Sequence, residues 1–227
     1  MLQAVRSHPR AAGLAVTAWV ANHPVLALHA SAVATPAGAL LFLGHSGAGK
    51  STICRLLNLH ATPLADDAVY LFRGDDQTWR VADASHRAFA GPLSESAADE
   101  LTGKHLFAIF RLYQSAIVKV VPAGQSEICR HLADALFEIG WQQWIDSESK
   151  RKLFASLAQV ARSHSAARLY FTLRNETSVL VSEYVFRATN QEWKGPLERW
   201  SVTSNPVQFR SGPARSFPGK APWLDQV

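Results

Sequence analysis

Leu40-Leu41-Phe42-Leu43 runs directly into Gly44-His45-Ser46-Gly47-Ala48-Gly49-Lys50-Ser51, and the reading of that junction decides the fold. The second stretch satisfies Gly-x-x-x-x-Gly-Lys-Ser/Thr at every required position. The unbroken apolar run before the first glycine reads as a buried strand, and residues 50–59 read as a helix after the last. The glycines let the chain curl so that successive N–H groups point inward at phosphate oxygens, and the start of the helix adds its dipole. Gly44, Ser46, Gly47, Ala48, Gly49, Lys50, Ser51 and Thr52 form this cradle. Lys50 reaches the β and γ oxygens as a point charge, and Ser51 offers its hydroxyl to Mg²⁺. At ordinary glycine frequency such a match arises by chance roughly once in a hundred chains of this length. His45 fills a variable position of the loop.

Outward from the loop, the pattern is α/β. Val25 to Ala34 reads as a strand, and Thr35-Pro36-Ala37-Gly38 is turn chemistry. The strand before the loop therefore closes an antiparallel hairpin. Residues 11–21 read as a short helix ended by His23-Pro24. Downstream, residues 61–65 are extended, and residues 68–72 and 79–81 read as strands. Residues 83–104 read as loop, and 107–113 and 116–121 as strands. Two helices follow. Ile128, Leu132, Ala135, Leu136 and Ile139 recur at helical spacing, as do Leu153, Leu157 and Val160 behind the cap candidate Asp146. Residues 168–173 and 179–181 look like late strands around the turn Asn175-Glu176. Residues 187–227 hold five prolines and three tryptophans without sustained periodicity. The expected division is a catalytic domain over residues 1–184 and a tail over 185–227.

The chain has 227 residues, 48% of them apolar and 18% charged, with a formal net charge of +5. This excludes a disordered chain and a multi-span membrane protein. The mild positive charge suits anionic ligands, but no cluster of Lys and Arg interleaved with aromatics marks a nucleic-acid groove. Cys54 and Cys129 lie far apart with no ligand spacing around them, so neither a disulfide scaffold nor a zinc site is expected. The N-terminus does not read as a secretory signal, and a cytoplasmic protein is expected.

The second signal is Asp66-Asp67, sixteen residues after Lys50. Adjacent carboxylates opening an apolar strand beside such a loop can divide two duties. One holds the Mg²⁺ of bound nucleotide, and the other takes a proton from an attacking hydroxyl. In an extended strand the two side chains point to opposite sides. The reading favours Asp66 as the base and Asp67, with Ser51, as the metal ligand. Arg87 and Arg111 are candidates for a further clamp on phosphate. Trp141 and Trp144 flank a turn and read either as the lining of an acceptor groove or, in keeping with their spacing, as packing residues.

His29 in Leu28-His29-Ala30-Ser31, the hairpin, the loop Gly44 to Ser51, and Leu64-Ala65-Asp66-Asp67 together resemble the catalytic domain of the HPr kinase/phosphorylase family. The resemblance covers residues 26–72 and extends more weakly to residues 106–112. Phosphoenolpyruvate carboxykinase belongs to the same class of phosphate-loop proteins. What the resemblance implies is a mixed sheet and ATP-dependent, Mg²⁺-dependent phosphorylation of a seryl hydroxyl on a peptide or protein. It makes Lys50, Asp66, Asp67 and His29 the catalytic set, with His29 on the acceptor side, and it implies a homo-oligomer. The Arg-Gly-Leu-Gly-type signature associated with phosphorolysis has no counterpart here.

Two other functions remain open on the sequence, a kinase of a small hydroxyl metabolite and a nucleotide-binding regulator without an acceptor. A GTPase switch is disfavoured by the lack of Asn-Lys-x-Asp. An ABC-type ATPase is disfavoured by the lack of Leu-Ser-Gly-Gly-Gln.

Overall fold

The computed structural model describes residues 16–20, 23–58, 60–84, 102–140, 147–174, 176–190 and 200–201. The apolar run at the opening of the phosphate loop is strand β4 (Gly38–Leu43), and it is buried on both faces. It pairs antiparallel with β3 (Ala30–Thr35), which makes the expected hairpin. On its other edge it pairs parallel with β8 (Lys104–Gln114). A strand covered on both faces reads as a continuous hydrophobic run rather than an alternating one, which is why β4 was legible.

The sheet has two arms that share β8. In the first arm β8 lies parallel to both β4 and β10 (Ser165–Phe171). The antiparallel strands β3, β5 (Thr62–Ala65), β9 (Lys119–Pro122) and β11 (Trp200–Ser201) complete it. The second arm is an antiparallel series of β1 (Val16–Val20), β2 (His23–Leu28), β6 (Val69–Arg73) and β7 (Trp79–Asp83). It joins the first where Lys104 and His105 of β8 meet Val81 and Arg80.

Four helices are described, α1 (Lys50–Leu56), α2 (Gln125–Gly140), α3 (Ser147–Ser163) and α4 (Glu176–Asn190). Along β4, Leu41 and Leu43 face one core and Leu40 and Phe42 the other, the period-2 alternation of a strand. The first core is closed by Ile128, Leu132 and Leu136 of α2 and by Leu153, Leu157 and Val160 of α3. The second is closed by Ile53 and Leu57 at α1 and by Leu180, Val181 and Tyr184 of α4. Phe42 stacks on Phe110 at 5.7 Å between ring centroids, and Phe110 meets Tyr184 edge-on at 5.1 Å. Each such fully buried side chain stabilises the fold by roughly 1.5–3 kcal/mol.

Three expectations are corrected. Residues 16–20, inside the expected helix, form β1. Their β-branched Val16, Thr17 and Val20 suit an extended chain, and pairing with β2 supplies the hydrogen bonds. Residues 179–181, expected in a strand, lie in α4. Leu180, Val181 and Tyr184 recur at helical spacing and are buried, whereas Val179 and Phe186 are exposed. The single strand expected over residues 25–34 is broken at His29. The backbone N–H of His29 leaves the ladder and donates to Ala135 O of α2 at 2.8 Å.

α4 runs unbroken across residue 184, and Trp200–Ser201 pairs with β9. Most of the expected loop 83–104, together with Arg87, Trp141, Trp144, Asp146, Trp193 and Trp223, lies outside the described residues. No described helix is long and apolar enough to cross a membrane.

Candidate active site

The loop from Gly44 to Gly49, which the sequence marks as a phosphate cradle, lies between β4 and α1. Gly47 and Gly49 have φ of 79° and 96°, in the left-handed region that glycine enters without steric cost. A Cβ on Gly47 would meet nothing within 4 Å, so the open side of the loop lies there. A Cβ on Gly49 would lie 2.5 Å from Phe171 Cζ, so at that position the loop is packed on the end of β10. Gln114, the last residue of β8, steadies the crest by donating its side-chain amide to Gly47 O at 2.9 Å.

Lys50 is buried and folds back along the loop, donating to Gly44 O at 2.8 Å and His45 O at 3.3 Å. Burial pushes its ammonium below the usual lysine range. The charges of Glu138 and Asp67 oppose that shift, and Arg111 adds to it. A desolvated cation among these groups is a ready partner for an incoming phosphate. On α1, burial also pushes the Cys54 thiol up to about 12.

Asp66 and Asp67 follow β5 in a bend, not at the head of an extended strand. Asp67 takes a left-handed backbone with φ 73°, and the two side chains reach different partners. Aspartate tolerates that region better than most residues, and such strained positions concentrate at functional sites. Asp66 Oδ1 accepts hydrogen bonds from Ser51 Oγ and Ser31 Oγ, each at 2.8 Å. Asp67 Oδ1 instead lies 3.0 Å from His29 Nε2. The other ring nitrogen of His29 meets Glu138 of α2. The two carboxylates thus face different partners, with Asp66 on the Ser51 side and Asp67 on the His29 side. This is the reverse of the pairing that the sequence favoured.

Among the described residues no group of three or more His, Cys, Asp or Glu side chains converges as a metal site. The Ser51 hydroxyl and the Asp66 carboxylate form a smaller donor set. It suits Mg²⁺, which keeps several waters and leans on substrate phosphates rather than on a protein cage.

Two clefts flank the loop. One of about 580 Å³ is lined by Thr52, Gln114, Phe171 and Arg174. The other, of about 290 Å³, is lined by Gly44, His45, Arg111, His131 and Glu138, among others. Arg111 stands beside Leu43 in the sheet register, and its guanidinium lies 5.5 Å from the Tyr113 ring centroid.

Ser31, His131 and Glu138 were not singled out from the sequence. Glu127, His131, Asp134 and Glu138 recur at helical spacing beside the apolar stripe of α2. That polar stripe was the available signal.

No family model matches the chain, and neither does any curated protein sequence. Among solved structures the chain is similar to one described as the structure of the Hpr(Ser) kinase/phosphatase from Coxiella burnetii, at 10% identity. The match covers 72% of this chain and 92% of that chain with a TM-score of 0.36, so the two chain paths agree only loosely.

Proposed function

We propose that the chain is an ATP-dependent phosphotransferase that moves the γ-phosphoryl group to a hydroxyl, seryl by the resemblance of residues 26–72. One observation carries this reading. The phosphate loop is flanked by two carboxylates with different partners, Asp66 on Ser51 and Asp67 on His29. A passive nucleotide binder needs the first pair and has no use for the second.

In this reading the loop amides and Lys50 hold the nucleotide phosphates, and the nucleoside lies toward the cleft lined by Thr52, Gln114 and Phe171. Ser51 and Asp66 are the residues that would hold Mg²⁺, whose charge, when bound, offsets that on the phosphate oxygens. The acceptor approaches from the side of His29. Asp67 accepts the hydroxyl proton as the oxygen attacks the γ-phosphorus. The new O–P bond forms, the bond between the γ-phosphorus and the β–γ bridging oxygen breaks, and ADP leaves. His29, held by Glu138, fixes the Asp67 carboxylate in the direction of the acceptor. A peptide or protein acceptor, a cytoplasmic setting and a homo-oligomer belong to this proposal.

The test is transfer of label from γ-labelled ATP to seryl peptides and to free serine, with Lys50→Ala in parallel. Transfer by the wild type that is lost in a folded Lys50→Ala variant supports the reading. MgATP binding with no transfer to any hydroxyl would make the chain a nucleotide-binding regulator instead.

A further inference from the structure

The cleft of about 290 Å³ between the phosphate loop and α2 is lined in part by Arg111 and His131. Among the described residues, neither Arg111 Nε nor His131 Nε2 has a hydrogen-bond partner. His131 is 8% exposed, and its Nδ1 is already committed to Asp134 Oδ2 at 3.3 Å. Buried polar atoms are nearly always satisfied, because leaving one bare costs a substantial part of its hydration free energy. The two residues bring a permanent cation and an imidazole, each with one nitrogen left without a partner, to the wall of one cleft beside the loop.

The chemistry of the walls narrows that group. Arg111 supplies a permanent positive charge and a fixed N–H, which call for an anionic oxygen. Burial, with the charge of Arg111 beside it, holds His131 below the usual histidine range in the free protein. A bound anion would reverse that balance and let Nε2 carry a proton. Glu138 and Asp134 border the same cleft, the first engaged by His29 and the second by His131. Their charges disfavour a dianionic phosphate more than a singly charged carboxylate. A space of about 290 Å³ takes one residue or a small molecule, not the face of a folded protein. Glu138 joins this cleft to His29 and hence to Asp67.

We propose that this cleft is an acceptor subsite that binds a carboxylate through Arg111 and His131. The acceptor is then a compact hydroxy acid, either free or as the hydroxy residue at the carboxyl end of a chain. This deepens the phosphotransferase reading and rests on it for the identity of the hydroxyl's partner.

The experiment compares kcat/KM for transfer from ATP to L-serine, to N-acetylserine and to N-acetylserinamide. Activity on L-serine above that on N-acetylserine assigns a free hydroxy acid, and the opposite order a chain end. N-acetylserine should exceed the neutral amide on the order of 10- to 100-fold, because the amide leaves the buried cation unpaired. That preference should collapse in Arg111→Gln and in His131→Leu, each first checked for cooperative melting. Equal transfer to acid and amide by the wild type overturns the proposal. So does a preference that survives in both variants.

A second arm needs neither nucleotide nor turnover and covers failure of both variants to fold. N-acetylserine and N-acetylserinamide are titrated into wild type while the His131 ring ¹⁵N resonances are followed. Movement with the acid and not with the amide sustains the subsite even if no acceptor is ever phosphorylated, in which case the phosphotransferase reading alone fails. Absence of movement with the acid overturns the subsite.

Discussion

Ser51 Oγ donates to Asp66 Oδ1 at 2.8 Å, tying the end of the phosphate loop to a carboxylate fifteen residues further along the chain. Its neighbour Asp67 has no such link and faces His29. The two aspartates should therefore fail differently. Asp67→Asn removes basicity on the acceptor side and should lower transfer on the order of 10²–10⁴-fold with MgATP affinity kept. Asp66→Asn should weaken the Mg²⁺-dependent part of nucleotide affinity as well. Calorimetric titration of MgATP beside the labelled-transfer assay separates the two. Wild-type transfer by both variants would remove the kinase mechanism.

The two left-handed glycines of the loop make a second contrast. Gly47→Ala adds a methyl into open space, so the fold should lose only about 1 kcal/mol of backbone strain. The methyl would instead obstruct phosphate, and nucleotide affinity should fall. Gly49→Ala carries the same strain and drives Cβ to 2.5 Å from Phe171 Cζ. Overpacking of this kind costs roughly 1–3 kcal/mol more. Thermal melting should place Gly49→Ala clearly below Gly47→Ala, and equal melting temperatures would contradict the packing described.

Acid stability should depend on the tie between α2 and the sheet. Arg168 of β10 donates to both carboxylate oxygens of Glu127, at 2.8 and 2.6 Å. The hydrogen bonds and charge of Arg168 hold the Glu127 carboxyl below its ordinary range. A folded-state pKa below the unfolded one gives stability that is present above the ordinary carboxylate range. That stability is lost as pH falls through the folded value. Glu127→Gln should therefore lower stability at neutral pH by about 1 kcal/mol, since Arg168 is partly exposed. It should also flatten the decline on the acid side. Chemical denaturation from neutral pH downward checks this, and parallel wild-type and variant curves would refute it.

Every residue proposed to hold phosphate precedes α4 in the chain. A chain ending at Asn190 should keep MgATP affinity, and among the described residues it gives up the short β11 pairing. A chain ending at Tyr184 cuts α4 in its middle and should melt lower, because the helix closes the core around Phe110. Loss of MgATP binding by a folded chain ending at Asn190 would assign the remaining residues to the site.

What could be read in advance followed the range of the forces involved. The loop, its flanking strand and helix, and the β3–β4 hairpin are local, and turn chemistry with hydrophobic runs determines them. Val16–Val20 is a five-residue run whose state is decided by its partner β2, which no local pattern displays. Val179 and Val181 carry strand propensity, yet burial of Leu180, Val181 and Tyr184 on one face overrides it. The break at His29 comes from a hydrogen bond to Ala135, more than a hundred residues away. The polar stripe Glu127, His131, Asp134 and Glu138 was visible as spacing, but only the docking of α2 shows that Glu138 reaches His29. That Asp66 and Asp67 face apart was readable from their adjacency, but which of them meets Ser51 was not, because the bend and the left-handed backbone at Asp67 lie outside any local pattern.

Cys54, four positions past Lys50, is buried on α1 in the second core with its thiol pushed up to about 12. The thiolate, not the thiol, attacks electrophilic reagents, so this sulfur is shielded both by its neighbours and by its own proton. A maleimide dye or an electrophilic inhibitor aimed at the nucleotide site would find no handle there. Cys129 on α2 is the more open of the two cysteines. It is half-buried against the first core, so a thiol reagent would reach it before Cys54.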